Sequence, residues 1–211
     1  MKHIIVPLLL GLFASFADAA ISANQVIERV QHHAVTDTPL RVSFQQIFEW
    51  KLTGNVEDVR GEMMLDGLDK FRITTPDQTI VSDGQTMWTY SRLENQVLID
   101  NVQKDSQTLM PKDILFSYTQ DYEAMVWQQD IRFNGEPALI LRLLPRDEDK
   151  YIQETQVWVN TESWKPMQIQ FTDINENETV YTINSIEEDP AISDTTFAFE
   201  PDTTMEVIDV R

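Results

Sequence analysis

The chain has 211 residues, a length that suits one domain, or two small ones, with a true core. It is 42% apolar and 24% charged, which is a globular composition, and 35 acidic against 16 basic residues leave a net charge of -19. That charge excludes a basic phosphate-binding surface and hence nucleic acid as a partner. The absence of any Cys excludes disulfides, thiolate metal sites and Cys nucleophiles.

The first elements form an address. Lys2 is followed by an apolar run from Ile4 to Phe16, and Ala17-Asp18-Ala19 places small residues where a signal peptidase reads them. The expectation is a signal peptide over 1–19, cleaved after Ala19, and a single exported, periplasmic domain over 20–211. A span needs about 20 apolar residues, and this run is shorter.

Beyond the cleavage site, Ile21 to His33 has helical spacing, with Val26, Ile27 and Val30 on one face and Ser22 or Asn24 able to cap the start. After Pro39 the period becomes two. Leu40, Val42, Phe44, Phe48 and Trp50 share one face of a long strand, and Val59, Met63 and Leu65 share one face of the next. Short strands follow around Phe71 and Ile73, at 79–82, at 85–91 and at 96–100. Asp83-Gly84 marks a hairpin turn between two of them. The stretch 105–122 breaks the pattern, and Pro111 can open a helix carrying Ile114 and Leu115 on one side. From Val126 the two-residue period returns, with Asn134-Gly135 as a second hairpin turn. Leu139, Leu141 and Leu143 align, as do Val157 and Val159, and Met167, Ile169 and Phe171. Val180 to Ile186 is mixed. Phe197-Ala198-Phe199 and the run 205–210 close the chain.

About ten or eleven antiparallel strands joined by tight turns, with two helices, give a mainly β fold. Two helices cannot cover both faces of so large a sheet. The economical arrangement is an incomplete, half-open antiparallel barrel with helices covering its concave apolar face.

Chemistry-bearing motifs are missing. The sequence has no G-x-S-x-G, H-E-x-x-H or phosphate loop. His32 and His33 are neighbours on a helix and diverge by about 100°, so they do not share a metal. The acidic runs 147–149 and 187–189 lack the alternating ligands of a calcium loop and read as solvated loops. No catalytic residue, metal or cofactor is expected. What stands out is apolar: Met63, Leu65, Phe71, Met87, Trp88 and Tyr90 crowd the first half of the sheet, a composition open to two readings, an ordinary core or an adaptable pocket.

Thr79-Ile80-Val81-Ser82-Asp83-Gly84-Gln85-Thr86-Met87-Trp88-Thr89-Tyr90 resembles the "(I/L)VSDGKTLWxY" segment of the outer-membrane lipoprotein carrier family, LolA. Val42-Ser43-Phe44-Gln45-Gln46 is similar to that family's "SFTQ" strand. Gly61-Glu62-Met63-Met64-Leu65, followed by Lys70-Phe71-Arg72, is similar to its "G-x-(L/F)" strand and the Phe after it. Thr196-Phe197-Ala198-Phe199-Glu200-Pro201 is similar to its "FxFxPP" close.

The resemblance implies a half-open barrel with an apolar cavity under helices. It also implies a carrier, not an enzyme, that takes acylated lipoproteins from an inner-membrane ABC transporter, shields their acyl chains across the periplasm, and delivers them to an outer-membrane acceptor. On that reading the cavity is lined by Phe44, Met63, Leu65, Phe71, Met87, Trp88, Tyr90, Met167, Ile169 and Phe171. The lid is made by Val26, Ile27, Val30, Ile114 and Leu115. The protein is expected to work as a monomer. One departure concerns the lid: the family's Arg-Pro before the Phe, whose Arg holds the lid shut, is Gly67-Leu68 here, leaving Lys70, Arg72 or packing alone to replace it. The alternative function is a periplasmic sensor of lipid or lipoprotein with the same fold.

Overall fold

The computed structural model describes residues 21–34, 38–67, 69–102, 122–193 and 195–211. The signal peptide, Leu68 and the expected helix with Ile114 and Leu115 lie outside them. The described elements are one helix, α1 (Ala23–Ala34), and twelve strands: β1 (Leu40–Glu49), β2 (Val56–Asp66), β3 (Lys70–Thr74), β4 (Gln78–Asp83), β5 (Thr86–Ser91), β6 (Gln96–Asn101), β7 (Tyr122–Phe133), β8 (Glu136–Pro145), β9 (Ile152–Asn160), β10 (Pro166–Asp173), β11 (Glu178–Glu188) and β12 (Glu206–Asp209).

All twelve strands form one sheet in the order β12-β6-β5-β4-β3-β2-β1-β11-β10-β9-β8-β7. It is two antiparallel meanders, β1 to β6 and β7 to β11, joined where β1 pairs with β11. β12 and β7 are the two free edges, so the barrel is not closed. A twisted sheet of more than about ten strands curls. Here it curls around α1, and the face toward α1 is the inner face. The expectation of an open antiparallel barrel holds, with one difference. Among the described residues one helix covers the inner face, and the second expected helix lies outside them. β12 adds a twelfth strand, parallel to β6, with Glu206 to Asp209 opposite Gln96 to Ile99.

The turns follow the local chemistry. Asn134 and Gly135 both have positive φ, +51° and +87°, as a type I′ turn requires. At the β4–β5 turn Asp83 Oδ1 accepts from the backbone N–H of Gln85 (2.8 Å) and Thr86 (2.7 Å), and Gly84 takes φ +95°. α1 opens with a capping box. The Gln25 N–H donates to Ser22 Oγ (3.3 Å), and the Ser22 N–H donates to Gln25 Oε1 (3.0 Å).

The core sits on the inner face. Val26, Ile27 and Val30 of α1 pack into one buried cluster with Leu40, Val42, Phe44, Met63, Leu65 and Phe71 from one meander and Leu139, Leu141, Leu143, Val157, Val159, Ile169 and Phe171 from the other. Register explains this gathering, because directly opposed residues share a face. Leu40 opposes Leu65, which opposes Phe71, and Ile169 opposes Val157, which opposes Leu141. Gly61 opposes Phe44, and a Cβ there would lie 2.5 Å from the Phe44 ring. The glycine of the "G-x-(L/F)" strand therefore makes room for an aromatic side chain on the neighbouring strand.

Candidate functional site

The candidate site is the inner face beneath α1. Three helical side chains fill it: Val26 and Val30 have no exposure and Ile27 has 4%, while Asn24, Gln25, Glu28 and Arg29 are exposed. An amphipathic helix is thus seated on an apolar wall. Arg29, on the outward side, reaches the β9–β10 turn, where its guanidinium lies 4.3 Å from the centre of the Trp164 ring. A cation over an aromatic face adds about 0.5–1 kcal/mol at an exposed site. This contact and the packing of the apolar side are among the interactions that hold α1.

Among the described residues neither Lys70 nor Arg72 takes the place that the resemblance gives to a lid-closing Arg. Both flank Phe71 in a strand, so when Phe71 points inward they point outward. Lys70 Nζ lies 3.7 Å from Asp66. Arg72 Nη1 donates to the Thr196 carbonyl at 3.2 Å and lies 3.5 Å from that of Ala198, which pins the segment 195–205 between β11 and β12, the C-terminal strap, to the outer face. Gly67 has φ +69° in the β2–β3 turn, a left-handed conformation that favours glycine over Arg.

Of the ten expected lining residues, seven meet on the inner face. Phe44, Met63, Leu65, Phe71, Ile169 and Phe171 are buried in the cluster, and Met87 packs against it. Trp88 and Tyr90 do not join them. Strand residues alternate faces, so Trp88 must oppose Met87 in orientation. It pairs with Val81 and Ile99 on the outer face. Tyr90 pairs with Thr79 and Val97 on that outer side, and its ring lies 5.6 Å from that of Phe199. These residues build a second, outer core beneath the strap, in which Val81 and Val97 have no exposure. Met167 stands at the register shift that opens β10, half-buried and outside the cluster. Sequence reasoning passed over Leu139, Leu141, Leu143, Val157 and Val159 as site residues. Their alternation carried the same signal as that of Ile169 and Phe171.

Tyr181 is a further member of the wall that the sequence did not single out. Its ring centre lies 5.8 Å from Phe44 and 6.1 Å from Phe171, edge-on to the latter. Burial pushes its phenol up to about 12, so it stays a neutral donor at any physiological pH. The outer face has an open groove of about 590 Å³ between β2, β3 and the strap, lined among others by Glu62, Arg72, Glu200 and Phe199. Its charged lining does not suit hydrocarbon. Among the described residues no His, Cys, Asp and Glu side chains group as a metal site, and no helix is long and apolar enough to cross a membrane.

The described fold is an open antiparallel sheet whose apolar inner face is covered by an amphipathic helix. The chain belongs to the outer membrane lipoprotein carrier protein LolA family, whose model matches residues 36–200. Solved structures with this fold include an uncharacterized conserved protein from Thermus thermophilus, with 14% identity and a TM-score of 0.60 over 89% of this chain and 98% of that one. A DUF1329 family protein from Desulfovibrio piger has 14% identity and a TM-score of 0.51 over 83% and 95%. A LolA superfamily protein from Nitrosomonas europaea has 13% identity and a TM-score of 0.45 over 85% and 99%. Among curated proteins no sequence matches this chain significantly.

Proposed function

We propose that this protein is a periplasmic carrier whose inner face shelters the acyl chains of lipoproteins, with α1 as the stopper that the acyl chains displace. The observation that carries this reading is the seating of α1. Its three buried side chains occupy an apolar wall drawn from both meanders, and the family is described as one of lipoprotein carriers. The donor is an inner-membrane ABC transporter and the recipient an outer-membrane acceptor. No bond is made or broken, and the task needs no cofactor or metal.

Energetics favour such an exchange. A chain of roughly 16 carbons loses about 12 kcal/mol of unfavourable hydration on burial, at about 0.8 kcal/mol per CH₂, as a gross upper figure. Three buried Val or Ile side chains contribute about 1.5–3 kcal/mol each. Ligand therefore outcompetes stopper, and the stopper lowers net affinity enough for release. The acidic charge of -19 disfavours adsorption to anionic membranes, which suits a shuttle.

The test is to isolate the protein from its native periplasm without detergent and examine co-purifying material by mass spectrometry. Acylated proteins are expected at a substantial fraction of the carrier. Their absence, with only non-acylated partners recovered, contradicts the reading.

A further inference from the structure

We propose that Tyr181 is the specificity residue of the inner face, donating its phenolic hydrogen to the carbonyl at the head of a bound acyl chain; the inference rests on the carrier reading above. The geometry has three parts. First, Tyr181 opposes Ile169 across β10 and β11, in the row that continues to Val157 and Leu141, so its ring is on the wall beneath α1. Second, its aromatic neighbours are Phe44 and Phe171, neither of which can accept a conventional hydrogen bond. Third, its hydroxyl has no hydrogen-bond partner among the described residues, while other tyrosine hydroxyls, Tyr90 and Tyr151, bond to Asn95 and Asp173.

Tyrosine carries an apolar ring and a polar tip, and the tip selects a partner that offers an acceptor. Phe at position 181 would fill the same space without a hydrogen-bond donor. Tyr181 is half-buried and its hydroxyl is not among the sealed unpaired atoms, so a ligand can reach it. Gln46 of β1 opposes Tyr181 in the same row, and an acyl chain brings a further acceptor, carried at one end of a hydrocarbon. Ester and amide carbonyls are equally able to accept, so the recognised chemistry is the acyl carbonyl whether it comes from an O-linked or an N-linked chain. The raised phenol keeps the donor protonated wherever the protein works.

The experiment uses the full mature chain, titrated calorimetrically with 1-monolauroylglycerol, an ester, and with 1-O-dodecylglycerol, its ether counterpart lacking the carbonyl. The wild type is expected to bind the ester about fivefold more tightly, the worth of one net hydrogen bond. Tyr181→Phe is expected to lose that preference by weakening the ester alone, and to melt at the same temperature as the wild type or higher. A preference that persists in Tyr181→Phe, or is absent from the wild type, overturns the assignment and leaves the carrier reading intact. A lowered melting temperature also overturns it, because the hydroxyl then has a structural bond. Failure of both ligands to bind the wild type overturns the carrier reading itself.

Discussion

Replacing Ile27 with Ala should make this protein bind acyl ligands more tightly. Ile27 is 4% exposed and is one of three side chains that seat α1 on the inner face. Ile→Ala in a core costs about 2–5 kcal/mol, and the lower end applies at a helix that can shift to close part of the gap. If α1 and ligand compete for one wall, observed affinity is the intrinsic affinity multiplied by the fraction of open molecules. Weakening the closed state by about 2 kcal/mol then raises affinity about 30-fold, as long as the closed state dominates in the wild type. The assay is calorimetric titration of 1-monolauroylglycerol into wild type, Ile27→Ala and the control Glu28→Ala, whose side chain is exposed on the other side of α1. Ile27→Ala should also melt at a lower temperature, since the same contacts stabilise the empty fold. Unchanged or weaker binding by Ile27→Ala, with normal binding by the control, refutes the competition and makes α1 a fixed part of the wall.

Arg29→Ala removes the Trp164 contact, worth about 0.5–1 kcal/mol, and should raise affinity about two- to fivefold in the same titration. Gly61→Ala drives a Cβ to 2.5 Å from Phe44 and 2.9 Å from the Thr74 carbonyl; overpacking of this kind costs about 1–3 kcal/mol, and chemical denaturation should show the loss. Substituting Leu for Phe44 in that background should recover part of it. Arg72→Ala frees the strap, so limited proteolysis should cut within 195–205 faster while ligand affinity stays as in the wild type. At Asp173 burial raises the carboxyl pKa, but bonds from the Tyr151 hydroxyl, the Asn177 amide and the Asn175 and Asn177 backbone outweigh it and hold the group below its usual range. A depressed carboxylate stabilises the fold above the unfolded value near about 4 and loses that contribution as pH falls through the folded value. Asp173→Asn should thus melt lower at pH 7 and show a flatter loss of stability on acidification.

Much of this architecture was written in the period-two pattern. Leu40, Val42 and Phe44, and Ile169 and Phe171, alternate with polar neighbours, and each row proved to be an inner-face row. The turn at Asn134-Gly135 was visible because few other residue pairs accept two positive φ angles. Trp88 and Tyr90 were misplaced because a carrier's lining was sought by residue type. Alternation alone forbids them from sharing a face with Met87, and the outer face has a hydrophobic cover of its own in the strap around Phe199. Tyr181 was hidden for a different reason. Ser43 pairs with Ser185 and Phe44 with Ile183, so Asn184 is skipped in a bulge. The bulge shifts the phase of β11, and Ile186, Ile183 and Tyr181 share a face despite uneven spacing. The mixed pattern read from 180 to 186 is that phase shift. The parallel pairing of β12 with β6 and the role of Arg72 were out of reach because they join positions about a hundred residues apart with no local signal.

The central claim is that acyl chains and α1 take turns on one apolar wall. Amide hydrogen exchange across residues 23–34, with and without saturating 1-monolauroylglycerol, tests it most directly. The account predicts that ligand speeds exchange in α1 while the amides of β1, β8 and β10 stay as protected as before. Ligand binding that leaves α1 equally or more strongly protected contradicts it.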